Sequence, residues 1–142
     1  MPPVKRKVLF LCVHNSARSQ MAEGLLNHLF GDRFVAYSAG LTPTKVNPYA
    51  IKVMAEIGID ILDNKAKSFI EFIGKGIEVV VTVCDESKEM CPHFPGAKRF
   101  IYWNFQDPSE VVGTEEEILK VFRNVRDALR DQITKAVEKS EL

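Results

Sequence analysis

Two stretches of the sequence have the apolar character of strands that are buried on both faces. Residues 8–13 are apolar without interruption, and residues 77–84 are rich in valine. Such strands occur mainly in parallel sheets, whose crossover helices cover both faces. Weaker strand patterns lie at residues 34–39 and 99–103. The sequence therefore predicts four strands of a mostly parallel sheet.

Helical patterns lie between the first strands. Residues 22–29 have apolar side chains at the spacing of one helix face, and Gly31 stands where that helix would end. Asn47 and Pro48 are a cap and a first-turn proline for a second helix, which Gly58 would end.

Two capping boxes predict the remaining helices. Ser68 with Glu71 opens a short third helix, and Thr114 with Glu117 opens a long last helix. The last helix has an apolar face and a mixed-charge face, as a helix on the surface of a domain does. Its predicted buried residues are Ile118, Phe122, Val125, Leu129, Ile133 and Val137.

Strands that alternate with helices predict right-handed βαβ units. We expect an α/β fold, a three-layer sandwich around a central four-stranded parallel sheet of order 2-1-3-4, formed by residues 1–142 as a single domain. Strands 1 and 3 are neighbours in this order, and ligands bind beyond their carboxyl ends. Cys12 ends strand 1 and Cys84 ends strand 3, so both cysteines are predicted side by side at this edge.

The charge balance argues against several partners. The chain of 142 residues has 19 Lys and Arg residues against 19 Asp and Glu residues. A net charge of zero provides no broad basic surface for nucleic acid or an anionic membrane. No apolar stretch approaches the ~18–20 residues that span a bilayer, and residues 8–13 are too short for a signal peptide. We therefore expect a cytoplasmic protein, and we expect a monomer.

The segment between the first strand and the first helix carries the chemical signal. It consists of a cysteine, five residues, an arginine and a serine. Such a loop can turn its N–H groups inward as an anion site, and the following helix adds its positive end. Arg18 can bind two oxygens of a tetrahedral anion, while Ser19 and the loop favour the thiolate form of Cys12. The predicted substrate-binding residues are Val13, His14, Asn15, Ser16, Ala17, Arg18 and Ser19.

Two other interpretations of this loop are weaker. Cys12 alone would be a packed strand-end cysteine and Arg18 a surface arginine, but the strand and helix around them favour the anion site. A nucleotide-binding P-loop needs the pattern G-x4-G-K-[ST], which the segment lacks.

Asn15 suits the loop because asparagine tolerates the left-handed backbone that a tight turn needs.

The chain resembles the low-molecular-weight protein tyrosine phosphatase superfamily and, within it, the thioredoxin-coupled arsenate reductases. In this family the loop cysteine is the nucleophile, which implies that role for Cys12, with Arg18 and Ser19 as its loop partners. The aspartate of a late Asp-Pro pair is the general acid, which implies Asp107. The matching segments are residues 12–24, 37–40, 47–48, 82–92, 94–96 and 103–108.

The number of thiols bears on the reaction. Reduction of arsenate to arsenite needs two electrons, which two thiols supply when they form a disulfide. The chain has three cysteines, so we expect a relay from Cys12 to Cys84 to Cys91 that thioredoxin regenerates, with no bound cofactor. A disulfide needs Cα atoms about 4.4–6.8 Å apart, and one rigid arrangement hardly satisfies both pairings. We therefore expect residues 85–97 to move during the cycle.

A protein tyrosine phosphatase is the main alternative. Phosphatases of this family commonly carry aromatic residues after the Asp-Pro pair, whereas Ser109 and Glu110 follow it here. They also need neither Cys84 nor Cys91. We expect at most weak phosphatase activity on small esters, with phosphate or sulfate as mimics of arsenate.

A non-catalytic redox sensor or oxyanion-binding protein is a second alternative. Such a protein has no need of Asp107, which is present. A zinc site at Cys84, Cys91 and His93 lacks a clear fourth ligand, so no metal is expected. Arsenic detoxification is the role that the resemblance implies.

Overall fold

A computed structural model of the protein describes residues 4–85, 87 and 93–142. Its strands are β1 (Arg6–Cys12), β2 (Phe34–Gly40), β3 (Val79–Cys84) and β4 (Arg99–Asn104). All paired strands are parallel, and the order is β2-β1-β3-β4. The predicted sheet and strand order are confirmed. The carboxyl ends of β1 and β3 are neighbours, as the topology requires for a site between them.

The described residues form three α-helices, which follow β1, β2 and β4 along the chain. They are α1 (Arg18–Phe30), α2 (Pro48–Ala55) and α3 (Glu115–Glu138). Asn47 caps α2 by accepting a hydrogen bond from the Tyr49 N–H, and Thr114 forms the predicted capping box with Glu117. The third helix predicted from Ser68 is a single 3₁₀ turn, Phe69–Phe72, whose capping box is present. In the described parts of the chain, no helix has the apolar length that a bilayer span needs.

Alternating side chains give the sheet two apolar faces. Val8 and Phe10 of β1 face the three α-helices, in one core with Val79, Val81 and Val83. Leu9 and Leu11 face the other side with Val80 and Phe94, where the 3₁₀ turn at residues 69–72 packs. The sheet is therefore the middle layer, as predicted.

α1 begins earlier than its apolar pattern suggests. The pattern starts at Ala22, whereas the helix starts at Arg18. Arg18, Ser19 and Gln20 are polar but buried, so hydrophobic periodicity does not reveal the first turn. This turn carries the side chains that organise the candidate site.

Candidate active site

The loop between β1 and α1 is held from outside by the segment that follows β2. Carbonyl groups of the loop accept backbone hydrogen bonds from that segment, which leaves the loop N–H groups free to face inward. The bonds, 2.8 to 3.2 Å long, run from Leu41 to Cys12, from Thr42 to Val13, from Thr44 to His14 and from Asn47 to Ser16. The loop therefore has the orientation that an anion site needs.

Gly40 allows this close approach. A Cβ atom at Gly40 would lie 2.8 Å from the Asn15 nitrogen and 2.8 Å from the Val13 carbonyl oxygen. Real Cβ atoms do not come so close to backbone atoms. The sequence does not reveal this role of Gly40, because a glycine directly after a predicted strand is only a weak signal.

The Cys12 thiol lies at the centre of the loop. It is free and 2 % exposed. The Asn15 N–H donates to its sulfur at 3.2 Å, and the Ser19 hydroxyl oxygen lies 2.7 Å from it. Because the Ser19 oxygen also accepts a hydrogen bond from Asn15 Nδ2 at 2.8 Å, its own proton is available for the sulfur. Two donors are thus directed at the Cys12 sulfur.

Asn15 is the main brace of the loop. It adopts the predicted left-handed backbone, with φ of 52°, and its side chain is completely buried. Its Oδ1 accepts hydrogen bonds from the Lys67 N–H at 2.8 Å and from Gln20 Nε2 at 2.9 Å. The sequence indicated the backbone conformation but not these side-chain contacts.

Behind Asn15 lies a polar cluster built around Glu23. The Glu23 carboxylate accepts hydrogen bonds from the Ser38 hydroxyl at 3.1 Å and from Asn64 Nδ2 at 3.0 Å. The Lys67 ammonium group lies 3.9 Å from the same carboxylate. Burial raises the pKa of Glu23, and Lys67 and Ser38 oppose this effect. Asn64 also donates to Gln20 at 3.2 Å, so the cluster is continuous with the loop.

Arg18 and Asp107 lie close together at the loop. The Arg18 side chain is buried and donates from Nη1 to the Phe105 carbonyl oxygen at 3.1 Å. Its Nη2 lies 3.6 Å from Asp107 Oδ2. Asp107 Oδ1 accepts hydrogen bonds from the Ser109 N–H at 3.0 Å and from the Ser109 hydroxyl at 2.7 Å. One carboxylate oxygen is thus held by Ser109, and the other faces Arg18.

Cys84 lies at the predicted edge but on the other face of the sheet. Leu11 of β1 is in register with Thr82 of β3, so Cys84 shares the face of Thr82 and Leu11. Cys12 shares the opposite face with Phe10, because strand side chains alternate. The two cysteines end neighbouring strands as predicted, but their side chains are not side by side.

The other predicted site residues are placed as follows. The sulfur of Cys84 is in a disulfide and lies 3.3 Å from the Tyr102 hydroxyl. Cys91 lies outside the described residues. The His14 ring is exposed, with Nδ1 3.2 Å from the Thr42 carbonyl oxygen. Within the described ranges, no group of three or more His, Cys, Asp or Glu side chains has the arrangement of a metal site.

Comparison with known proteins gives the family. Residues 7–141 match the low molecular weight phosphotyrosine protein phosphatase family. The chain belongs to this family. An arsenate reductase of Halalkalibacterium halodurans is 42% identical over 129 residues, which cover 91% of this chain and 93% of that protein.

Solved structures of this family have the same fold. An arsenate reductase in the phosphate binding state has a TM-score of 0.80 and 32% identity, and the match covers 94% of this chain and 98% of that one. A Corynebacterium glutamicum thioredoxin-dependent arsenate reductase has a TM-score of 0.68 and 27% identity, over 99% of this chain and 65% of that one.

Proposed function

We propose that this protein reduces arsenate to arsenite, with Cys12, Cys84 and Cys91 as a thiol relay and thioredoxin as the external reductant. The observation that carries the proposal is a free Cys12 thiol inside an oxyanion loop, with Cys84 at the end of the neighbouring strand. The relatives named arsenate reductases support the reaction, and the thioredoxin-dependent structure supports the reductant. Arsenate reduction and a thioredoxin reductant are both consistent with a cytoplasmic protein that acts in arsenic resistance.

The first step is attack by the Cys12 thiolate on arsenic. Arsenate binds to the N–H groups of residues 13–17 and to the Arg18 guanidinium, which matches a tetrahedral oxyanion. An S–As bond forms, and one arsenate oxygen leaves as water after it takes up protons. Asp107 is the proposed proton donor, because its carboxylate lies beside Arg18 at the loop. Phosphate and sulfate fit the same loop and should compete.

The second step transfers two electrons to arsenic. The Cys84 thiolate attacks the Cys12 sulfur, an S–S bond forms, and the S–As bond breaks. The electron pair of that bond stays on arsenic, which changes from As(V) to As(III) and leaves as arsenite. The two thiols have then become one disulfide, which balances the two electrons.

The third step moves the disulfide away from the loop. The Cys91 thiolate attacks Cys84, and Cys12 leaves as a thiolate that can bind the next arsenate. Thioredoxin then reduces the Cys84–Cys91 disulfide with its own two thiols. The combination of a free Cys12 and a disulfide-bonded Cys84 agrees with this stage of the cycle.

The opposite faces of Cys12 and Cys84 support a conformational step. A disulfide between them requires the end of β3 and the segment after it to leave their present position. Cys84 is held here by its carbonyl group, which accepts the Phe105 N–H at 3.1 Å. Residues 85–97 are the proposed moving segment.

A phosphotyrosine phosphatase is the second candidate, because the matching family is described as low molecular weight phosphotyrosine protein phosphatases. Hydrolysis needs Cys12, Arg18 and Asp107 but no second thiol. Ser109 directly follows the Asp-Pro pair, and its hydroxyl donates a hydrogen bond to Asp107. Weak hydrolysis of small esters is the expected side activity.

The proposal is tested by NADPH consumption with arsenate, thioredoxin and thioredoxin reductase. The wild type should turn over continuously, and Cys84→Ser and Cys91→Ser should each stop after at most one turnover. Ser87→Ala, in the same segment, is the matched control and should keep its rate. Hydrolysis of a small aryl phosphate by wild type and both cysteine variants, without NADPH consumption, would establish the phosphatase instead. A single oxidation of the wild type without turnover would indicate a redox sensor.

A further inference from the structure

The Cys84 sulfur has a neighbour that the relay does not yet use. The hydroxyl oxygen of Tyr102 lies 3.3 Å from it. Tyr102 is in β4 in register with Thr82, two residues before Cys84, so its side chain is on the same face as Cys84. Cys84 is completely buried, whereas the Tyr102 residue is 40% exposed, so the phenol lies between the sulfur and the surface.

We propose that the Tyr102 hydroxyl donates a hydrogen bond to the Cys84 sulfur and stabilises negative charge on it during the relay. This inference rests on the proposed function for its place in the reaction. Cys84 is disulfide-bonded here and carries no proton, so the phenol is the donor in this contact. The same donor faces the sulfur when Cys84 becomes a thiolate.

The contact acts when the reductant opens the disulfide. A thiolate of the dithiol reductant attacks the Cys91 sulfur, an S–S bond forms between them, and the Cys84–Cys91 bond breaks. The electron pair goes to Cys84, which leaves as a thiolate beside the Tyr102 hydroxyl. The second thiol of the reductant then displaces Cys91. Because a stabilised thiolate leaves faster, Tyr102 favours attack at Cys91 over attack at Cys84.

The same hydrogen bond acts earlier, on the reduced Cys84 before the end of β3 is released for the attack on Cys12. A thiolate attacks the Cys12 sulfur, and a thiol does not. A donor that increases the thiolate fraction near neutral pH therefore speeds arsenite release. The optimum is a thiol that ionises near the working pH, since a more stabilised thiolate is also a weaker nucleophile.

The sheet, not the proposed moving segment, sets the geometry of this contact. Cys84 pairs with Asn104, and Tyr102 precedes Asn104 on the same strand. Both partners are thus on paired β-strands. The contact is therefore present while the end of β3 is paired with β4, and it is broken when that end is released toward Cys12.

The test measures the ionisation of Cys84 directly. In the full chain with Cys12→Ser and Cys91→Ser, the ¹³Cβ shift of Cys84 is followed against pH, with and without Tyr102→Phe. We expect Tyr102→Phe to lower the thiolate fraction at pH 7 by about tenfold, the effect of one hydrogen bond to a charged group. Tyr37→Phe is the matched control, because Tyr37 lies in β2, at the opposite edge of the sheet from β4, where its ring packs on Phe72.

A second readout is the opening of the disulfide by excess dithiothreitol in the Cys12→Ser background. Tyr102→Phe should slow opening several-fold, and Tyr37→Phe should not change it. An unchanged Cys84 titration in Tyr102→Phe, or an equal change in Tyr37→Phe, would overturn the inference. Because neither readout uses arsenate, a shifted titration without arsenate turnover would refute the proposed function and leave the Tyr102 contact intact.

Discussion

The loop at residues 12–19 and the strand end at Cys84 are held in different ways. The loop is braced from three sides: by the segment after β2, by Asn15 with Lys67 and Gln20, and by the first turn of α1. Cys84 is held by its pairing with β4 and by Tyr102. The difference suggests that oxyanion binding needs a rigid site, whereas disulfide transfer needs a strand end that can be released.

The largest expected effect comes from crowding the rigid loop. Gly40→Ala places a methyl group against the backbone of Val13 and Asn15. We expect a loss of about 1–3 kcal/mol in unfolding free energy, and about a 100-fold loss of arsenate reduction through displacement of the loop. Urea unfolding and steady-state kinetics measure the two effects.

Gly113→Ala is the control for this change, because the three atoms nearest to its methyl group all belong to the Glu117 side chain and not to the backbone. It should remain close to wild type in both measurements. A fully active Gly40→Ala would show that the loop is not rigid, and the comparison would fail.

Arg18→Lys tests the charge and shape of the same loop. A lysine keeps the charge but loses the paired N–H groups that match two anion oxygens. We expect phosphate to bind about 10- to 100-fold more weakly, as the loss of ~1.5–3 kcal/mol implies. Isothermal titration calorimetry measures this. Arg123→Lys, in an ion pair with Glu56 on the surface, should bind as the wild type does.

Hydrogen exchange compares the two regions directly. Amide exchange rates in peptides that cover residues 85–97 should differ between the reduced and the oxidised protein. We expect a difference of about tenfold or more at the most affected amides, a size that local opening of a segment can produce. Peptides that cover residues 12–19 should keep their protection in both states. Equal protection of residues 85–97 in both states would argue against the moving segment.

The smallest expected effect concerns the cluster behind the loop. Burial raises the pKa of Glu23, so the folded state holds this proton more tightly than the unfolded state does. The corresponding stability is present below the unfolded pKa and is lost as the pH rises through the folded pKa. Glu23→Gln should therefore gain stability relative to wild type as the pH rises through the folded pKa of Glu23. Urea unfolding at a series of pH values measures this difference.

For Glu56→Gln, the pH dependence of stability relative to wild type should have the opposite sign. Hydrogen bonds from Arg123 and then Arg126 lower the pKa of Glu56, against a burial effect that raises it. That stability is present above the unfolded pKa and is lost as the pH falls through the folded pKa. Glu56→Gln should thus lose stability near neutral pH, by a small amount because the pair is on the surface. The same pH trend in both variants would contradict the burial of Glu23.

The sequence predicted the elements that follow from hydrophobic patterns and caps. The valine-rich β3 and the order 2-1-3-4 agree with the structure. The first turn of α1 was missed because Arg18 and Ser19 are buried but polar. Apolar periodicity does not detect such residues.

Two features depend on three-dimensional placement. Gly40 contacts Asn15, which is 25 positions away in the sequence. The two residues meet only because β2 lies beside β1. The opposite faces of Cys12 and Cys84 follow from the register of β1 and β3. Register is decided by packing of the whole sheet, and a shift of one residue would reverse the faces.

The most direct test of the account is a single turnover by Cys91→Ser without an external reductant. Arsenite is measured after rapid quenching, and disulfides are mapped by mass spectrometry of alkylated peptides. The account predicts about one arsenite per protein and a Cys12–Cys84 disulfide, since two thiols supply two electrons. Arsenite without that disulfide, or no arsenite at all, would contradict the relay.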